Sequence, residues 1–391
     1  MSKVLILGAG VYQTPLIRKA KELGHETIVI SIPGNYPGFR YADKIYYKDT
    51  RDYKAILEIA QKEKINGITT LGTDVAVRSI GYVCENMNLV GINEATGIAT
   101  TNKKFMKEKF GEYGVRTPSY LIVRSLEEAY NAYDELIKPV VFKVVDRSGS
   151  KGVFKLEKES DVEKAYHYCV DNTDMDYIIA EEFIEGIKFG VEAAVIEKKP
   201  AFNLPMGDIL YKSKIEIPIG HYSPYPLKSS IHGEIENQLS KIIHAFDLDY
   251  CAVNLDLILK DEKIYVLEAA ARAGGSNIAE LISLVYDIDY YKFIIDLSLG
   301  TAKPFNTEEK NGGACQVLLT NKSGTLKEII LRGENKNLTE LVMDYKVGEK
   351  VRKFETGPDR IGHVIVKCKS DEQPLPILEK ALSNIEILIE E

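Results

Sequence analysis

The sequence predicts an α/β and α+β multidomain protein whose N-terminal part is a doubly wound parallel sheet. Three observations carry this. The chain has 391 residues, too many for one typical domain and suited to two to four. Short apolar runs alternate with helical patterns over roughly the first hundred residues, which calls for parallel strands joined by crossover helices. Further along, strands come in pairs between helices, the pattern of smaller α+β lobes.

The elements follow in order. Val4–Leu7 is a short buried strand, then "GAGVYQTP" and a helical pattern over Leu16–Leu23. Thr27–Ser31 is strand-like, Tyr53–Lys62 helical, Gly67–Leu71 a strand and Val75–Glu85 helical. Asn102 fits the N-cap of a helix carrying "KKFMKEKF" that ends at Gly114. Pro118 pushes the residue before it away from helix, so "VRTPSYLIV" restarts extended structure. Residues 119–185 read strand, helix (Ser125–Ile137), strand, turn, strand, helix (Ser160–Val170), strand. Paired strands then precede an amphipathic helix with Ile231, Ile235, Leu239, Ile242, Ile243 and Phe246 on one face. Another hairpin and helix follow. "TAKPFNTEEKNGG" reads as a linker before a last α+β unit.

Composition narrows the function. With 45% hydrophobic and 28% charged residues the chain reads as an ordinary globular protein. Fifty basic against 58 acidic residues give net charge −8, which speaks against nucleic acid as a partner. The five cysteines are scattered without a C-x-x-C, so neither a disulfide framework nor a zinc site is indicated. No run is long enough to span a bilayer, and the expected setting is cytoplasmic.

"GAGVYQ" follows a strand but has Gln13 where a dinucleotide fingerprint has its third glycine, and no suitably placed acid ends the next strand. A tight turn lining some other pocket is the better reading. More telling is "VNLDLILKDEKIYVLEAAARAGGSN", where each of two apolar strands carries one acid, Asp256 and Glu268. A three-residue loop at Asp261–Lys263 would pair Leu259 with Tyr265, Ile258 with Val266, and Asp256 with Glu268 on a shared face. A four-residue loop would send the acids to opposite faces. Two opposed carboxylates are unfavourable unless compensated, and a divalent cation shared with phosphate oxygens is one answer. A wet edge, or separate lysine partners, is the other. Arg272 then offers a planar fork, and Gly274, Gly275 and Ser276 lead into a helix from about Asn277, a turn suited to an anion. Together these residues fit phosphoryl transfer. The stretch "RSGSKG", taken alone, is a hairpin turn and not a G-x-x-x-x-G-K-[ST] loop.

As an ordered set these residues resemble the ATP-grasp superfamily, in the branch with carbamoyl-phosphate synthetase-like ligases, biotin carboxylase and L-amino acid ligases. The resemblance spans residues 1 to 300, and "GPDRIGHVIVKC" is similar to the C-terminal domain of the amino acid ligases. It implies a Rossmann-like pre-ATP-grasp domain over 1–101, a small ATP-grasp lobe over 102–185, a large lobe with the metal site over 186–300, and a small C-terminal α+β domain over 301–391. It also implies that Lys103 and Lys143 contact nucleotide phosphates, although the residue before Lys103 is Asn102 rather than the family's Asp. In "AEEFIEG" (residues 180–186) the resemblance makes Glu182 and Ile184, with Phe183 between them, the adenine-reading hinge, and Glu181 its support. No acid stands near Lys188 for the ribose, so Glu192 is the candidate there. Asp256 and Glu268 match the metal-bridging acids, with Mg²⁺ or Mn²⁺ as the cation, and Arg272 matches the active-site arginine. Gly274, Gly275 and Asn277 fall to the substrate. Ala270 replaces a third metal ligand common in the family. Ser148, Gly149, Ser150, Lys151 and Gly152 match a glycine-rich lid expected to order over the triphosphate.

The implied activity is an ATP-dependent carboxylate–amine ligase acting through an acylphosphate, with small-molecule carboxylate and amine substrates and a homodimer as its assembly. Alternatives are a carboxyphosphate-forming enzyme of the purine-biosynthesis carboxylase type, a nicotinamide-dependent oxidoreductase, and a nucleotide-binding regulatory protein without turnover. No chemistry is expected of the histidines, His221 included, and Lys212 and Lys214 read as a solvated hairpin edge.

Overall fold

A computed structural model describes residues 1–147, 152–211, 217–355 and 359–390. The chain begins with β1 (Lys3–Leu7), α1 (Thr14–Glu22), β2 (Glu26–Ser31), β3 (Lys44–Tyr47), α2 (Tyr53–Glu63), β4 (Gly67–Thr69), α3 (Val77–Met87) and α4 (Glu94–Ala99). The four strands pair in parallel in the order β3-β2-β1-β4, as the strand–helix alternation predicts. Strand β3 and helix α4 are additions to the sequence reading. The edge strand β3 ("KIYY") shows no fully buried residue, so it lacks the apolar run that marks β1 and β2. Helix α4 has six residues and is set by Asn93, whose side chain accepts from the Thr96 N–H.

Helix α5 (Lys103–Tyr113) starts as expected, with the Asn102 side chain accepting from the N–H groups of Lys104 and Phe105. It ends at Gly114, which takes the left-handed conformation at φ 64°. Next come β5 (Tyr120–Val123), α6 (Leu126–Glu135), β6 (Val140–Lys143), β7 (Val153–Leu156), α7 (Val162–Val170) and β8 (Ile178–Glu182). The strands form an antiparallel sheet in the order β5-β8-β6-β7. One face buries Val140, Phe142, Ile178 and Ala180 against Ala129, Ala132, Ala165 and Cys169 of the two helices. The alternation puts Lys143 and Glu181 on the other face of the same sheet. Since Asn102 caps α5, Asn102→Ala is expected to cost about 1 kcal/mol, read as a lower urea midpoint, while Asn102→Asp keeps the cap.

The chain continues through β9 (Ile187–Ile196), β10 (Lys199–Tyr211), β11 (Ile217–Ser223), α8 (Ser229–Phe246), β12 (Cys251–Lys260), β13 (Lys263–Ala270), α9 (Ile278–Tyr286) and α10 (Tyr290–Ser298). It closes with β14 (Gly312–Leu318), β15 (Gly324–Leu331), β16 (Leu338–Met343), β17 (Lys350–Val351), β18 (Gly362–Cys368), α11 (Pro374–Ser383) and β19 (Ile385–Glu390). The apolar stripe of α8 is buried at each position expected from its period.

Two compact units result. The first holds residues 1–204, 227–273 and 292–304, and the second holds 205–226, 274–291 and 305–391. In the first, β13, β12, β9 and the start of β10 are successive neighbours. In the second, the end of β10 is followed by β11, β14, β18 and β16, with β17, β15 and β19 in a separate small sheet. Its core gathers Leu326, Val364, Val366 and Leu378. All five cysteines are free and buried. Among the described residues no helix is long and apolar enough to cross a membrane.

The acidic hairpin differs from expectation in how it reaches its register. The loop is two residues long: Lys260 pairs with Lys263, and Asp261 and Glu262 both have positive φ (50° and 57°), as a type I′ turn requires. Leu259 therefore pairs with Ile264, and Ile258 with Tyr265, one residue off the expected partners. Carried on, that register would place Asp256 opposite Leu267. A bulge between Asp256 and Leu257 absorbs Leu267 and returns Asp256 to Glu268. The acids face each other as expected, by a bulge instead of a longer loop.

Candidate active site

In the first unit, helix α5 and strand β6 bring three lysines, Lys103, Lys107 and Lys143, toward Glu181 of β8. This carboxylate is 1% exposed, and Lys143 from β6 donates to its Oε2 at 2.7 Å. Lys107 from α5, fully buried, stands 3.5 Å from the same oxygen. Burial alone would raise the Glu181 carboxyl, yet Lys107 and then Lys143 hold it below the usual carboxylate range. Its other oxygen, Oε1, is buried with no hydrogen-bond partner among the described residues. An orphaned acceptor of this kind needs a donor to offset its desolvation, and an exocyclic amine supplies one. The backbone continues from it with Glu182 N–H held by the Ser119 carbonyl and Phe183 N–H by the Pro139 carbonyl. The next N–H, of Ile184, has no partner among the described residues.

The carboxylate pair lies on the neighbouring hairpin. Asp256 and Glu268 are directly opposed, with Cβ atoms about 4.5–5.5 Å apart for such a pair. Lys103 Nζ reaches to 3.5 Å from Glu268 Oε1 and donates to the Arg147 carbonyl at 2.8 Å. No group of three or more His, Cys, Asp or Glu among the described residues could hold a metal ion. Two carboxylates without a third protein acid suit a cation whose remaining ligands are phosphate oxygens and water, the habit of Mg²⁺. The donor set fits that ion.

Arg272 is fixed on three sides. Its Nε donates to Asp74 Oδ1 at 2.7 Å, and its Nη1 donates to Asn254 Oδ1 at 3.3 Å and to the Ala273 carbonyl at 3.2 Å. Burial works against its charge, but Asp74, Glu192 and Glu268 together more than offset this and raise the guanidinium, so it stays protonated. Its Nη2 keeps no partner among the described residues and is the donor available to an anion. Asn254 shares the acids' face of β12 and donates its amide to Glu192 Oε2 at 3.1 Å. Glu192, fully buried on β9, thus belongs to the surroundings of Arg272 and offers no exposed surface for a ribose.

Other expected residues lie elsewhere. Gly152 closes the β6–β7 hairpin at φ 71°, its carbonyl accepting from the Val144 N–H, and a Cβ there would meet the Val144 side chain at 2.4 Å. Ser148, Gly149, Ser150 and Lys151, the expected lid, fall outside the described residues, as do Lys212 and Lys214. Gly274, Gly275 and Asn277 belong to the second unit. There Ser276 and Asn277 are left-handed (φ 53° and 66°), and Arg360 donates to Asn277 Oδ1 at 3.2 Å. His221, given no role, is buried in that unit with its Nδ1 3.1 Å from Asp208 Oδ1. The front glycine turn is filled by protein: Gly10 N–H donates to Gln13 Oε1 at 3.0 Å, and Gln13 Nε2 donates to the Leu71 carbonyl. That leaves no backbone cradle of the dinucleotide type and argues against the oxidoreductase alternative.

Sequence reasoning missed Lys107 and Asn254, and it places the loop Gly72–Asp74 at the substrate pocket without the bond from Arg272 to Asp74. Lys107 was signalled by spacing alone, four residues after Lys103 and beside the buried Met106 and Phe110. Asn254 is two residues before Asp256 and so on its face. Asp74 meets Arg272 across 198 positions, and that pairing left no local sign.

Comparison with known proteins identifies the family. Residues 100–276 match the ATP-grasp domain, and residues 316–390 match the L-amino acid ligase C-terminal domain 2. The crystal structure of phosphoribosylglycinamide synthetase from Anaerococcus prevotii is 33% identical, covers all of both chains and superposes with a TM-score of 0.84. The chain belongs to the ATP-grasp family, as an enzyme of the carbon–nitrogen bond-forming ligases. Formate-dependent phosphoribosylglycinamide formyltransferase of Methanocaldococcus jannaschii is 24% identical over 335 residues, 81% of this chain and 80% of that protein. The L-amino acid ligase from Bacillus licheniformis shares the fold, with a TM-score of 0.84 at 18% identity over 100% of this chain and 99% of that one.

Proposed function

We propose that the protein joins a small carboxylate to an amine at the expense of ATP, with an amino acid as one substrate. The observation that carries it is the opposed pair Asp256 and Glu268 beside Lys103, in the unit that also fixes Arg272 and the Lys143–Glu181 pair. Adenine sits against the hinge, its exocyclic amine donating to Glu181 Oε1 and its ring accepting from the Ile184 N–H. Lys103 and Lys143 take phosphate oxygens. Asp256 and Glu268 hold Mg²⁺, which when bound screens the phosphate charge. The substrate carboxylate oxygen attacks the γ-phosphorus, the bond to ADP breaks, and Arg272 Nη2 stabilises charge on the transferred group. The amine then attacks the acyl carbon, loses a proton, and phosphate leaves. No side-chain nucleophile takes part.

The match to an L-amino acid ligase module over residues 316–390 supports an amino acid substrate. A second reading follows from the formyltransferase relative, whose name gives formate as the carboxylate and phosphoribosylglycinamide as the amine. A phosphate-release screen with ATP and Mg²⁺ separates them. Amino acid pools are expected to release phosphate. Release only with formate and glycinamide ribonucleotide would replace the amino acid by that pair, and release with bicarbonate alone would indicate carboxyphosphate chemistry. No release from any pool, with no ATP binding by calorimetry, would sink the ligase reading. A homodimer is also proposed, and sedimentation at a monomer mass would overturn it.

A further inference from the structure

A lysine with no exposed surface is costly unless its charge does something, because an ammonium group loses its hydration on burial. Lys107 is such a residue, and no step of the proposed reaction uses it. Its Nζ donates to Thr117 Oγ1 at 2.5 Å and stands 3.5 Å from Glu181 Oε2. The Thr117 hydroxyl in turn donates to the Val266 carbonyl at 2.8 Å, on the strand that carries Glu268. Glu181 therefore has two cations for one charge, and they differ in access. Lys143 is 15% exposed at its side chain, whereas Lys107 has no exposure at all. One of the two is free to leave, and the other is held in place.

We propose that Lys107 is the standing counter-charge of Glu181, which lets Lys143 turn from Glu181 to the phosphates of a bound nucleotide without stranding a buried carboxylate. This rests on the nucleotide reading above. With both lysines on Glu181 the cluster carries one surplus positive charge, matched to an incoming polyphosphate. Without Lys107, moving Lys143 would leave Glu181 buried and unpaired, so nucleotide binding would have to oppose that cost. Lys107 touches no substrate in this account. It is a positioning residue, linking the adenine hinge through Thr117 to the metal hairpin.

Its surroundings also give the binding a pH dependence. Lys107 is faced by Glu181 from β8, Lys143 from β6 and Glu268 from β13. Burial lowers its ammonium to about 8, against the pull of Glu181. Below that pH it is charged and Glu181 is compensated. As pH rises through it the charge is lost, and drawing Lys143 away becomes unfavourable.

The test is calorimetric titration of the full chain with ADP and with adenosine, which has no phosphates for Lys143. Lys107→Met is expected to weaken ADP binding about tenfold or more while changing adenosine binding less than about threefold. Adding Glu181→Gln to Lys107→Met removes the charge that needs a partner, and is expected to restore the ratio of ADP to adenosine affinity, the altered adenine contact being common to both ligands. Between pH 7 and pH 9 the unaltered protein should lose about tenfold in ADP affinity, and the double variant should stay flat. If Lys107→Met does not fold, the double variant and the pH profile decide. ADP binding by the unaltered protein that Lys107→Met leaves intact overturns the proposal alone. So does an equal loss of ADP and adenosine without recovery in the double variant, or an unchanged pH slope there. Failure of the unaltered protein to bind ADP at any pH overturns the nucleotide reading, and this proposal with it.

Discussion

Replacing Glu268 by Gln is expected to abolish Mg²⁺-dependent turnover, with a loss of about 10³-fold or more in kcat. The substitution keeps size and shape and removes one charge. Only the pairing of Asp256 with Glu268 puts two carboxylates on one face of the hairpin, and among the described residues no third acid stands ready to take over. A single carboxylate holds a hard divalent ion poorly, because the loss falls on the charge that offsets its dehydration. Binding of metal-free ADP should change little, since the hinge around Glu181 lies on a different sheet. Phosphate release measured against Mg²⁺ concentration is the check. Turnover within about tenfold of the unaltered enzyme at saturating Mg²⁺ would remove the hairpin from the mechanism.

The second large effect is expected at Arg272. Arg272→Lys keeps a positive charge but loses the fork that bonds Asp74 and Asn254 at once. An ammonium drawn to Asp74 would have no second arm for the transferred phosphoryl group. The expected result is a fall of about 10²–10³ in kcat with little change in ATP affinity. Asp74→Asn should reproduce a smaller part of that loss, because the guanidinium stays but its strongest anchor weakens. Single-turnover phosphate release separates this from slow product release. A lysine variant that keeps full kcat would show that Arg272 supplies charge alone, and that its geometry is incidental.

Both predictions depend on charges arranged against their own stability. Opposed acids on a hairpin, a lysine with no exposure and a carboxylate oxygen without a partner are each unfavourable in isolation. Their concentration in one unit is better explained by a ligand site than by three separate accidents of packing. The same logic separates the front turn from the site. Gln13 satisfies Gly10 and Leu71 within the protein, so nothing there is left waiting for a ligand.

Much of this was legible in the amino-acid order. The parallel N-terminal sheet followed from strand–helix alternation, the cap and end of α5 from Asn102 and Gly114, and the buried face of α8 from its period. These are local rules, in which a residue's conformation is set by neighbours within a few positions. The ordered set of Lys103, Lys143, Glu181, Asp256, Glu268 and Arg272 stood out through its resemblance to the ATP-grasp superfamily, and only for Asp256 and Glu268 did the strand pattern itself set two acids opposite each other. The hairpin shows the limit of that reasoning. "DEK" reads as a three-residue loop, but Asp261 and Glu262 both adopt the left-handed conformation. Only the sheet packing decided that a shorter turn plus a bulge at Leu267 would bring Asp256 and Glu268 together. Lys107 as a buried cation, Asp74 as the anchor of Arg272, and Glu192 as a buried neighbour of that arginine were decided by tertiary structure alone. Their partners are far away in sequence, and whether a charged side chain is solvated or enclosed depends on what packs over it, which no local pattern records.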